Sequence, residues 1–345
     1  MLETWVDILR ILDGTLRVAT PLILCAMAGL LSERSGVIDI GLEGKLLAGA
    51  FIAATVAHLT GSPWLGLGAA MVVSVIFALI HGFACITHRG EQIISGVAIN
   101  ILAAGLTVVL GIALFRKGGQ TPVLETDERF GAITFLGTET LGDIPILGPL
   151  YVELISGHNL LVYAALGTVA LVGWLLYRTT FGLRLRAVGE APAAVDTAGI
   201  SVTRLRYRAV IMAGVLCGTA GAYLSTAGFG AGFERDMSAG KGFIALAAMI
   251  LGNWRPGTTL LACLLFGFLE TISPRLQGVG FDCTDGALAE LWYSVFFLSC
   301  DGGPVGFPTS IIPMLPYILT VILLAGFFGR AIPPKALGTP YVKEH

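Results

Sequence analysis

Apolar positions in this chain gather into long, nearly unbroken runs, unlike the short alternating or 3.6-residue patterns of a soluble core. A helix that crosses a bilayer needs about 20 predominantly apolar residues. Runs of that kind cover residues 15–31, 37–59, 64–87, 92–115, 158–177, 209–226, 258–272 and 312–328. Residues 228–252 break the pattern. GFGAGFERDMSAGKGF is polar and glycine-rich, and the IALAAMILG inside this region is too short to cross alone, so the pair reads as a re-entrant segment plus a short span. Residues 1–13 place Trp5, Ile8, Leu9 and Leu12 on one helical face and Glu3, Asp7, Arg10 and Asp13 elsewhere, the pattern of an interfacial amphipathic helix. The hydropathy pattern therefore predicts an all-α polytopic membrane protein. It has one transmembrane domain over 1–345, with about nine transmembrane helices plus re-entrant or broken segments.

Polar interruptions set the orientation. Residues 178–208 carry six of the chain's 21 Lys and Arg, and short basic loops stay on the cytoplasmic side. Residues 116–157 are turn-rich and acidic and fall outside, as does an irregular insertion at 278–310. The N-terminus is then extracytoplasmic and the C-terminus cytoplasmic. Within the arginine loop, Glu190 and Pro192 open a short helix that Gly199 closes.

Composition narrows the function classes. Hydrophobic residues make up 55% and charged residues 13%, and of the 46 glycines the many inside apolar runs fit helices that approach closely or break at membrane depth. A net charge of −2 excludes a nucleic-acid-binding footprint, leaving the lipid bilayer as the surrounding partner. Glu3 and Asp7 stand where a cleavable signal would be basic. Gly41 to Lys45 is too short for a phosphate-binding P-loop, so ATP hydrolysis is not expected of this chain. The five histidines form no metal-binding spacing, and no nucleophile-elbow serine occurs. Two glycine-rich segments, Asp39 to Lys45 and Asp236 to Lys241, each precede an apolar helix and approach the membrane from opposite sides, either the signature of an inverted repeat or a chance match in a Gly/Ala-rich chain.

FGLRLRAVGEAPAAVDTAGI in the arginine loop resembles the coupling-loop motif of ABC-importer permeases for nucleosides and simple sugars, distant relatives of the ribose permease. SGVIDIGLEGKLLAGAF, EQIISGVAINILAAGLT, SAGKGFIALAAMILGNWRPG and MLPYILT resemble further blocks of that family, in the right order over nearly the whole chain. The resemblance implies a type II-importer-like permease, the shorter of two, in a bacterial plasma (inner) membrane. It implies three partners: a second permease subunit, a cytoplasmic ATPase and an extracytoplasmic substrate-binding protein. ATP would sit on the ATPase, with no cofactor in this chain. Coupling would run through Arg184, Arg186, Gly189, Glu190, Ala194 and Gly199. The chain departs from the family pattern at 281–307, which reads as an insertion before the last span.

A polar uncharged solute needs hydrogen-bonding groups and an aromatic or apolar wall. Asn100, Ser95, Asp39, Glu43, Phe243, Met237 and Ser238 are the candidates for that wall. Other roles suit them as well: Asn100 and Ser95 as helix-to-helix hydrogen-bonders, Phe243 as a packing residue, Asp39 with Lys45 as an internal ion pair. The competing function is a stand-alone ion-coupled transporter with Asp39, Glu43 and Glu270 as coupling acids. Cys283 and Cys300 flank the apolar stretch 287–297. They form a disulfide if that stretch is a re-entrant hairpin, or remain two free thiols.

Overall fold

Gly14 does not end a helix in this protein; it lets two helices touch. The computed structural model describes residues 2–135, 144, 147–228, 231–276, 280–281, 305–306 and 332–343, with isolated positions at 314, 318 and 322. Its first helix, α1 (Leu2–Arg34), runs unbroken through the junction where the sequence pattern separated an interfacial helix at 1–13 from the first span. Thr15 Oγ1 donates to the Ile11 carbonyl at 2.7 Å and Arg17 Nε to Asp13 Oδ1 at 2.9 Å, both across four residues, so one helical ladder continues past the glycine. A Cβ on Gly14 would lie 2.7 Å from Thr271 Cγ2, which makes the glycine a contact point.

The other helices are α2 (Leu42–Thr60), α3 (Pro63–Gly82) continued by a π turn over Phe83–Thr87, α4 (Gln92–Phe115), α5 (Leu160–Arg178), α6 (Thr180–Glu190), α7 (Pro192–Thr197), α8 (Val202–Thr226), α9 (Lys241–Leu251) and α10 (Pro256–Leu276). Their starts follow local chemistry. Side-chain oxygens of Glu91, Asn159, Thr179 and Ser201 accept early backbone N–H groups of α4, α5, α6 and α8, and Pro63 and Pro192 occupy first-turn positions that need no N–H partner. Seven of the described helices are long and apolar enough to cross a membrane, while α9 has 11 residues and stays short, as its apolar run predicts. The expected span at 312–328 lies outside the described residues.

In lipid, helices associate through close packing because the tails are as apolar as the side chains. Here α8 supplies the closeness. Gly214, Gly218 and Gly221 abut Val75, Ala70 and Leu46, and a Cβ on Gly221 would stand 2.5 Å from the Leu46 carbonyl oxygen. On the periphery, Ile94, Ile101 and Val109 of α4 are exposed apolar residues.

The two halves of the chain interleave. α1 makes its broad contacts with α5, α8, α9 and α10 and barely touches α2, whereas α8 packs on α2 and α3. Hydrogen bonds define two faces. Trp254 Nε1 to Glu33 Oε2 (2.7 Å), Arg34 Nη2 to the Trp254 carbonyl (2.7 Å) and Arg206 Nε to the Ser35 carbonyl (3.2 Å) gather the ends of α1 and α9 and the start of α8 on the face that holds 178–208, termed the arginine face. Tyr223 Oη to the Arg17 carbonyl, the Phe130 N–H to the Thr226 carbonyl and Asn159 Nδ2 to the Ala227 carbonyl gather the opposite face. The lead-in to α2 comes from the arginine face and the lead-in to α9 from the other, the opposed pair that the two glycine-rich segments suggested. The residue-level match is partial. Lys45 pairs with Asp39, but Lys241 pairs with Glu270 of α10, and Asp236 is exposed beside Arg235.

Residues 332–343 lie across the arginine face. The Ile332 N–H donates to Asn253 Oδ1 (2.9 Å), the Ala336 N–H to the Gly189 carbonyl (2.8 Å) and the Gly338 N–H to the Gly36 carbonyl (3.1 Å). In the insertion, Gly280 and Phe281 pair antiparallel with Gly306 and Val305. Cys283 and Cys300 lie outside the described residues; Cys25, Cys85, Cys217 and Cys263 are buried and free.

Candidate functional site

The two interrupted segments meet at Glu43. From the first turn of α2, its carboxylate oxygens accept the N–H of Gly240 (2.8 Å) and of Gly242 (2.6 Å). Those donors belong to the start of α9, where a helix leaves its first N–H groups without internal partners and its dipole favours negative charge. Contact there extends to the backbone: a Cβ on Gly242 would stand 2.6 Å from Glu43 N and Cα. Beside this joint, the Lys241 ammonium pairs with Glu270.

Below it lies a buried polar cluster. Asp39 and Lys45 are both 0% exposed, with Lys45 Nζ 2.6 Å from Asp39 Oδ1 and in contact with Oδ2. His81 Nδ1 lies 3.0 Å from Ser95 Oγ and its Nε2 2.9 Å from the Ile38 carbonyl. Asn100 closes the interruption from α4, accepting the Gly44 N–H at 2.7 Å and donating to the Ile40 carbonyl at 3.0 Å.

Of the seven candidate wall residues, Asn100 and Glu43 thus have their polar atoms engaged in holding broken backbone, while Asp39 is paired with Lys45 and Ser95 with His81. Met237 is half-buried against the cluster around Phe51 and Phe233, and Ser238 is buried. Phe243, 47% exposed on the first turn of α9, is the one that offers a large open surface. Asn100→Ala is expected to strand the Gly44 N–H and Ile40 carbonyl and cost about 2 kcal/mol. Thermal unfolding in detergent checks it, and an unshifted midpoint would mean that the amide bears no part of the α2–α4 contact.

On the arginine face, Arg184, Glu190, Ala194 and Gly199 are exposed. Arg186 is half-buried with its guanidinium carbon 5.1 Å above the Tyr177 ring. Gly189 is buried: a Cβ there would lie 2.3 Å from the Arg34 carbonyl oxygen, so α6 is seated on the end of α1 through this residue. α7 starts at Pro192, and Gly199 follows it in the left-handed region at φ +77°.

Sequence reasoning missed Glu33, Trp254 and Arg206. Asn253 and Trp254 both adopt positive φ, a strained turn that Glu33 and Arg34 hold in place. A carboxylate abutting a span end was the available signal for Glu33. For Arg206, counted with the solvated loop yet 1% exposed, there was none.

A family model described as branched-chain amino acid transport system / permease component matches residues 11–300. The chain belongs to that family. The permease is similar to the guanosine ABC transporter permease protein NupQ of Bacillus subtilis, 40% identical over 98% of this chain and 99% of the relative. It is also similar to the nucleoside ABC transporter permease protein NupC of Lactococcus lactis subsp. cremoris, 35% identical over 94% of each. The putative glucose ABC transporter permease protein TsgC13 of Haloferax volcanii is 36% identical over 78% of each chain. No solved structure matches the permease.

Proposed function

We propose that the permease is the membrane-spanning subunit of an ATP-driven importer of nucleosides. The observation that carries this reading is full-length similarity to a permease named for guanosine, and the exposed α6–α7 platform offers a surface on which an ATPase could dock. In this reading the arginine face is cytoplasmic and the membrane is a bacterial plasma membrane. The ATPase grips α6 and α7, a second permease subunit completes the pathway, and a binding protein delivers solute to the opposite face. ATP closure moves α6; α6 rests on the Arg34 carbonyl through Gly189, so the movement reaches α1 and from there α9 and α10.

A stand-alone ion-coupled transporter is less well supported. Asp39 is paired with Lys45, Glu43 is engaged by two N–H groups and Glu270 is paired with Lys241, which leaves none of the three coupling acids without a partner. The test is uptake of labelled guanosine by proteoliposomes holding the complete complex, driven by internal ATP. Uptake driven by an ion gradient and indifferent to ATP would overturn the reading; competition by glucose but not by nucleosides would move the substrate to sugars. Phe243→Ala should lower uptake roughly threefold to tenfold without releasing the ATPase, the size of a lost aromatic contact. Unchanged uptake would place the wall on other residues.

A further inference from the structure

On the arginine face, the π turn after α3, the start of α8 and the C-terminal segment enclose a groove of about 450 Å³. Its walls include Thr87, Arg89, Asp196, Thr203, Tyr341 and Lys343. Two cations face one carboxylate there, and hydroxyls make up much of the rest. The Thr87 and Tyr207 hydroxyls, 2.6 Å apart, tie the π turn to α8.

The terminal wall of the groove is fixed in place. Besides the backbone bonds to Gly189 and Gly36, Arg206 Nη1 donates to the Thr339 carbonyl at 3.2 Å and its Nε to the Ser35 carbonyl. Arg206 is 1% exposed and forms no ion pair among the described residues. A guanidinium buried without a carboxylate is costly to keep, and here it clamps two backbone segments together. Tyr341 and Lys343 are therefore presented on an ordered edge. Asp196 and Gly199 carry the groove to the end of α7, whose Ala193 and Ala194 are exposed small residues.

We propose that the C-terminal segment is part of the ATPase-docking surface, and that the groove takes an acidic side chain or short acidic segment of the ATPase. This rests on the importer reading above. The complementarity is electrostatic: Arg89 and Lys343 supply fixed positive charge, and the hydroxyls supply hydrogen bonds to a carboxylate.

The test uses the full chain purified with its co-expressed ATPase in detergent. A zero-length carbodiimide crosslink should join Lys343 to an aspartate or glutamate of the ATPase. The Arg89→Glu, Lys343→Glu double variant should weaken ATPase binding about tenfold, while Lys343→Arg keeps binding and loses the crosslink. Neither change touches the buried clamp, so the melting temperature should hold; a drop matching the loss of binding would overturn the proposal. Ala194→Asp separates the two readings. If Ala194→Asp releases the ATPase and the double charge reversal does not, the groove proposal falls and the importer reading stands. If neither releases it, both fall at this surface. An effect present in phosphatidylglycerol bilayers but absent in phosphatidylcholine and detergent would assign the groove to anionic lipid instead.

Discussion

Lys45→Met should be among the most damaging single substitutions in the permease, and Asp39→Leu combined with Lys45→Met should recover most of the loss. Both side chains are 0% exposed and each is the other's ion-pair partner. Removing only the ammonium leaves a buried carboxylate with no cation, a situation that costs about 3–5 kcal/mol, whereas replacing both charges with apolar groups of similar volume is often neutral. Part of the anion's environment would remain, since His81 stands nearby, but its nitrogens are engaged by Ser95 and the Ile38 carbonyl. Size-exclusion profiles after graded heating would rank the variants. The expected order places the double variant near the parent and the single variant well below. A single variant as stable as the parent would mean that water or another group supports Asp39.

Gly221→Ala, the addition of one methyl group, should cost about 3 kcal/mol, at the upper end for overpacking. The new carbon would stand 2.5 Å from the Leu46 carbonyl oxygen and 2.6 Å from the Ala50 nitrogen, and these are backbone atoms of a buried helix that have no rotamer to change. Helix α8 would have to move off α2. Gly167→Ala on α5 is the internal control, because nothing lies within 4 Å of its added Cβ. There the usual helix preference for alanine over glycine, up to about 1 kcal/mol, should appear as stabilisation. Melting temperatures shifting in opposite directions confirm the packing argument, and equal small shifts would refute it.

Much of the architecture was legible because a bilayer imposes length and polarity on each segment separately. The spans, the short α9 and the helix at Pro192 could be read from local sequence alone. What escaped was set by long-range contact. Gly14 looks like a breaker until Thr271 is placed against it. Glu43 looks like a pathway acid until Gly240, 197 residues later, donates to it. Asn100 is the same kind of case: an amide in an apolar run reads equally as solute contact or as backbone support, and only the positions of Gly44 and Ile40 decide. Arg206 was grouped with the solvated arginines because nothing local tells which of six faces Ser35 and Thr339.

The interleaving of the halves also dictates an order of events during synthesis. α1 leaves the ribosome first, yet it barely touches α2; the elements that cover it begin at Leu150. At ordinary elongation speeds of 5–20 residues per second, the roughly 115 residues in between take on the order of ten seconds. Throughout that interval the first helix waits in the bilayer as a monomeric span. Its small-residue contact points, Gly14, Thr15 and Ala19, face lipid or the insertion machinery in place of α10. A nascent chain halted before α5 would hold α2, α3 and α4 with α1 beside them and still lacking its main packing partners, so the N-terminal third of this permease is not an autonomous folding unit.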